Sequence, residues 1–172
     1  MKRRRAALAI IILCSILAAC GKSNSSSQGA LTAPDLSTVA LRISSGGLSP
    51  DLAWEEVYTL SGTGLTFVRT AYTDLSPVNS GAWQVNSYGA NEATLFAKLA
   101  GPAVYNVVKT GNGLTPAGGE LRDYMLFYAD NSAREIVIGD GSRYSDSDLI
   151  SKPVDSYISA VVLPAGAGNR YR

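Results

Sequence analysis

The chain predicts an α+β domain: an antiparallel sheet built from hairpins, with two helices packed on one face. Three observations lead there. Short apolar stretches alternate with polar residues and stop at Gly, Asn, Asp or Pro, as half-buried strands between tight turns do. Two other segments repeat apolar residues every three to four positions, the spacing of a helix face. The strands also follow one another in closely spaced pairs, which suits hairpins better than long crossovers.

Val39 to Ile43 alternates as a strand should and stops at Ser44-Ser45-Gly46-Gly47. Glu55 to Leu60 and Leu65 to Arg69 flank Ser61-Gly62-Thr63-Gly64, so they read as one hairpin whose glycines supply positive φ. Ala82 to Val85 adds a short fourth strand. Ala90 to Leu99 carries Ala93, Phe96, Ala97 and Ala100 at helical spacing, with Asn91 near its start and Gly101-Pro102 as a stop. An extended piece is expected over Val104 to Lys109. A second hairpin runs from Arg122 to Tyr128, through Asp130-Asn131, to Ala133 to Ile138, and Asp140-Gly141 ends it. Ile150, Val154, Tyr157, Ile158 and Val161 form one apolar stripe of a C-terminal helix, with Pro153 expected in its first turn. Leu163-Pro164 closes that helix. The domain is thus expected over 36–164, followed by a mobile Gly/Ala/Arg tail at 165–172.

The first 35 residues have a different character. Lys2, Arg3, Arg4 and Arg5 form a positive cluster, and Ala6 to Ala19 is an apolar run of 14 residues broken only by Ser15. A membrane-spanning helix needs roughly 20 apolar residues, so this run has the length of a cleavable signal instead. Leu17-Ala18-Ala19-Cys20 follows: small residues that let an extended backbone enter a peptidase groove, then a thiol. These four residues resemble the lipobox of bacterial lipoproteins. The resemblance implies that residues 1–19 are a signal peptide, cleaved between Ala19 and Cys20, and that Cys20 carries diacylglycerol and often a further acyl chain. Residues 20–35 then form a lipidated cysteine and a Ser-rich flexible tether. Each buried methylene contributes about 0.8 kcal/mol, so two or three chains hold a protein to a bilayer without a membrane-binding face on the domain. Gly21 stands where an Asp would resemble an inner-membrane retention signal, which favours the outer membrane in a two-membrane bacterium.

Charge and composition narrow the function further. Losing residues 1–19 removes four of the 15 basic residues and none of the 14 acidic ones, leaving 11 against 14, a net charge of −3. Such a domain lacks the basic stripe that nucleic-acid binding needs. Cys14 leaves with the signal and Cys20 is lipidated, so the domain has no disulfide. The chain has no histidine, which excludes Ser-His-Asp and Cys-His catalysis and histidine metal ligands. Ser-x-x-Lys, P-loop and dinucleotide fingerprints are absent as well. Paired carboxylates remain, as Glu55-Glu56 and Asp146-x-Asp148. Adjacent strand residues point to opposite faces, so Glu55 and Glu56 cannot line one site and read as solvated charge. Asp140, Asp146 and Asp148 with Ser142, Ser145 and Ser147 make the densest oxygen cluster, the kind of set that calcium takes. Its spacing departs from the EF-hand loop, and the preferred reading is a polar turn entering a helix. No enzyme activity, cofactor or metal is therefore expected.

Nine tyrosines stand beside three phenylalanines and two tryptophans. Tyr124, Tyr128 and Tyr157 read as core-edge residues. Trp54, Tyr72, Trp83 and Tyr88, read as loop residues, are the interface candidates, because such rings bury area while keeping a polar handle. Leu41-Arg42-Ile43 followed by Gly46-Gly47, then a helix, Asp123-Tyr124 opening a hairpin and a proline-led final helix, resembles the emfourin type of bacterial protease-inhibitor domain over Val39 to Val162. That resemblance implies a loop, Ser44 to Leu48, facing a metalloprotease. Residues 70–88 have no counterpart in it, and export as a lipoprotein departs from it. The expectation is thus a lipid-anchored, non-catalytic module that binds an envelope protein or serves the envelope structurally. A protease inhibitor is the first alternative and a carboxylate-dependent hydrolase the second.

Overall fold

Eight strands and three helices follow one another among the described residues: β1 (Leu36–Gly46), β2 (Trp54–Ser61), β3 (Gly64–Ala71), β4 (Gly81–Val85), α1 (Glu92–Leu99), α2 (Pro102–Tyr105), β5 (Lys109–Asn112), β6 (Gly119–Tyr128), β7 (Ala133–Ile138), β8 (Ser142–Tyr144) and α3 (Asp148–Ser159). The structure is a computed structural model and describes residues 33–46, 49–86, 91–114 and 118–171. The signal segment, Ala19, Cys20, most of the tether, Tyr88, and Gly47 and Leu48 of the Ser44 to Leu48 loop lie outside the described residues. Six strands form one sheet in the order β4-β3-β2-β1-β6-β7, with every pairing antiparallel, while β5 and β8 form a small second sheet. The fold is α+β. No helix among the described residues is long and apolar enough to cross a membrane.

Local chemistry accounts for the elements. The β2–β3 hairpin reverses at Ser61–Gly64, where Gly64 takes φ +110°, a region that a Cβ disfavours. The β6–β7 hairpin reverses at Asp130-Asn131: Asn131 sits at φ 65°, and Asp130 Oδ1 accepts the Ser132 N–H at 2.9 Å. Asn91 caps α1 by accepting the Thr94 N–H at 2.9 Å.

Apolar burial then joins these pieces. Leu41, Leu65, Phe67, Leu126 and Ile136 from the strands share one core with Leu95, Leu99, Ile150 and Val154 from α1 and α3. Burying each such side chain contributes about 1.5–3 kcal/mol. A polar tie adds to the packing, since the Tyr124 hydroxyl of β6 donates to Asp155 Oδ1 of α3 at 2.9 Å. Burial and that carboxylate push the Tyr124 pKa up to about 12.

Three expectations meet a different arrangement. First, α3 begins at Asp148, so Pro153 lies in the helix interior instead of its first turn. The proline has no N–H to offer the Leu149 carbonyl, and apolar burial of Ile150, Val154 and Tyr157 holds the helix across that gap. Second, Val104 to Lys109 is not one extended piece. Gly101-Pro102 starts a single helical turn, because proline's φ suits a first helical position, and the strand begins only at Lys109. Third, the segment read as a tail at 165–172 makes specific contacts: Ala167 is buried, the Asn79 N–H donates to the Arg170 carbonyl at 2.8 Å, and Tyr171 bridges to Val78.

Candidate functional site

Side chains alternate along a strand, so the register sorts the sheet into two faces. One face carries Leu60, Leu41 and Tyr124 in neighbouring strands, together with the rest of the buried apolar core. The other carries, in one row across the sheet, Ala82, Val68, Val57, Arg42, Asp123 and Val137. On this Arg42 face Val68 and Phe127 are 37% and 38% exposed, and Met125 is half-buried. This face carries valine, threonine, methionine and phenylalanine with charge at its centre.

The charge is organised around Asp123, whose side chain is only 8% exposed. Arg42 on β1 donates through both Nε, at 3.2 Å, and Nη2 to the same oxygen, Asp123 Oδ2. Arg42 Nη1 lies 4.0 Å from Glu55 on β2. Asp123 Oδ1 is buried without a hydrogen-bond donor; among the described residues it shares this with Tyr128 Oη. Glu135 on β7, diagonal to Asp123 across the β6–β7 pairing, brings its carboxyl beside that of Asp123, acceptor to acceptor. The Asp123 charge, then burial, raise its pKa above the ordinary carboxyl value, against the pull of Arg42.

A second charged group lies on the core face. Glu56 is buried opposite Arg69 on β3, with Arg69 Nε 2.8 Å from Glu56 Oε1. Arg170 adds contacts of 3.0 Å to Oε1 and 3.3 Å to Oε2. The Arg170 guanidinium stacks 3.6 Å from the centre of the Trp54 ring. Arg69 Nη1 also donates to the Asn169 carbonyl at 3.0 Å, so the cluster holds the C-terminal segment in place. Burial, with the Glu56 charge behind it, pushes the Tyr58 pKa up to about 12.

The interface candidates fall in separate places. Trp54 opens β2 rather than lying in a loop and is 3% exposed, covered by Arg170, so it offers no surface. Trp83 lies on β4, half-buried and stacked on Phe67 at 5.5 Å; Gly81 leaves the room its ring occupies, since a Cβ there would come within 2.6 Å of it. Tyr72 is 60% exposed just beyond β3. Glu55 and Glu56 do point to opposite faces, but only Glu55 is partly solvated. Glu56 is in the core, because it shares the parity of Trp54, Tyr58 and Leu60.

Two of the catalytic and metal candidates, Asp140 and Asp148, are used locally. Asp140 accepts both the N–H and the hydroxyl of Ser142, at 2.8 and 2.7 Å, which lowers its pKa, and Asp148 pairs with Lys152 at 2.6 Å within α3. Among the described residues no three His, Cys, Asp or Glu side chains are grouped to hold a metal. A groove of about 180 Å³ between α1 and α3 is lined by Asn91, Thr94, Leu95, Lys98, Tyr157 and neighbours, and no carboxylate lines it.

Arg42 and Asp123 entered the sequence reading only as parts of the emfourin-like pattern and Glu135 only as part of a strand; none was read as a site residue. The available signal was parity, since each occupies the non-apolar phase of its strand. The chain matches no protein-family model, no curated protein and no solved structure.

Proposed function

We propose that this chain is a lipid-anchored module of the bacterial envelope that binds another envelope protein and catalyses nothing. The observation that carries the anchor is Lys2 to Arg5, a 14-residue apolar run and Leu17-Ala18-Ala19-Cys20 in immediate succession. Acyl chains on Cys20 hold the domain to the bilayer, at the periplasmic face of the outer membrane in a two-membrane source. In our reading α1 and α3 cover the Leu41 face of the sheet and leave the Arg42 face for the partner. The helical residues Leu95, Val154 and Tyr157, which line a gap together with Val39, Leu41 and Tyr58, support that arrangement.

The half-exposed Val68 and Phe127 beside Arg42 resemble the mixed apolar and polar composition of non-obligate interfaces. Three carboxylates stand there against one guanidinium, so a partner surface with basic side chains fits it. The anchor is tested by growing the expressing bacterium with radiolabelled palmitate. Label on the full chain that is abolished by Cys20→Ala is the expected result; label that survives the substitution removes the anchor from the proposal.

A further inference from the structure

We infer that Asp123 and Glu135 form a carboxyl pair that holds one proton between them, with Glu135 Oε–H donating to Asp123 Oδ1. The geometry requires a donor at that oxygen. Asp123 Oδ1 is cut off from water, and no group among the described residues donates to it. Arg42, the nearest cation, directs both of its contacts to Oδ2. Leaving a buried carboxylate oxygen unsatisfied costs at least as much as a lost hydrogen bond to a charged group.

Register shows what can reach it. Asp123 opposes Val137 and Met125 opposes Glu135, so Glu135 is the diagonal neighbour of Asp123 on the same face, within reach of a long side chain. Its carboxyl lies beside that of Asp123, where without a proton one acceptor faces another. Two carboxylates that close repel while both are ionised, and one proton converts the repulsion into a hydrogen bond. The proton is taken from solvent by the Glu135 carboxylate; one O–H bond forms and nothing else changes.

The charged groups facing the pair are few. Arg42 comes from β1, and Glu55 from β2 reaches the pair only through Arg42. From β7 only Glu135 faces it. With the proton bound, the pair carries one negative charge, which Arg42 balances. Without it, a second negative charge lies beside Asp123, and among the described residues no second cation pairs with it. The native state therefore holds this proton more tightly than the unfolded chain does. The associated stability is complete below the ordinary glutamate pKa and is lost as pH rises through the higher native value.

The test is a carbon-detected NMR titration of side-chain carboxyls in the full chain in detergent, as wild type and as Asp123→Asn. The expected result is a Glu135 midpoint above that of an ordinary glutamate, which falls back toward the ordinary value in D123N. A Glu135 that titrates ordinarily in the wild type, or one unmoved by D123N, overturns the inference. Should D123N fail to fold, Glu135→Gln gives the second reading. It keeps the neutral donor, so its urea midpoint should lose the decline with rising pH that the wild type shows in this window. An unchanged decline in E135Q is equally fatal.

Discussion

Glu56 and Asp123 are both buried carboxylates on strands of one sheet, and each faces an arginine on the next strand, yet their surroundings differ. Glu56 lies among apolar side chains, and both of its oxygens are paired, by Arg69 from β3 and Arg170 from the C-terminal segment. Asp123 lies on the Arg42 face with one oxygen paired and the other without a donor. The first group satisfies itself and pins the chain end, which is what a structural ion cluster does. The second is left incomplete at the centre of a half-exposed surface, where a proton or a partner changes its charge balance. Burial is common to the two carboxylates; completeness of pairing is what differs between them.

Removing one arginine from each group breaks this comparison most sharply. Arg69→Met leaves Glu56 with Arg170 alone in a dry site and should cost about 3–5 kcal/mol in urea unfolding. Arg42→Met removes a guanidinium that is itself half-exposed but strips the buried Asp123 of its donors, and should cost less, about 1–3 kcal/mol. Equal losses would mean that the two groups are energetically alike. The double variant Glu56→Met/Arg69→Met should regain most of the loss, because apolar replacements of a buried pair are often neutral.

A smaller contrast separates the two faces through adjacent residues of β6. Leu126, fully buried, should lose about 2–5 kcal/mol as Leu126→Ala. Phe127, 38% exposed on the Arg42 face, should lose about 0.5 kcal/mol as Phe127→Ser. A large loss from F127S would show that this face is part of the core and not a surface for a partner.

Much of the fold was legible because period-two alternation and turn residues act locally. The β2–β3 and β6–β7 hairpins need only their own residues and the glycine or Asn-Asp chemistry between them. What the sequence concealed is long-range. The placement of residues 165–171 depends on Asn79, Arg69 and Glu56, about a hundred positions away, which Gly/Ala content cannot reveal. The interior position of Pro153 depends on tertiary burial of Ile150 and Val154 overriding a local penalty. Glu56 was read as solvated because glutamate usually is. The countersign was Arg69, which falls in the apolar phase of β3 after Leu65 and Phe67 and so had to pair with something inside. Trp54 was placed in a loop because the strand was read from Glu55, one residue after β2 begins, and element ends are the least sharply marked feature of a sequence.

The proposal turns on whether the Arg42 face meets a partner in the envelope. The most direct measurement is photo-crosslinking in intact cells, with a photoreactive phenylalanine at position 127 or 68 of the full chain and at Lys98 on α1 as the comparison. A discrete adduct from 127 and 68, absent from 98 and lost with Cys20→Ala, is the predicted result. No adduct from either face position, or one as strong from position 98, would contradict the account.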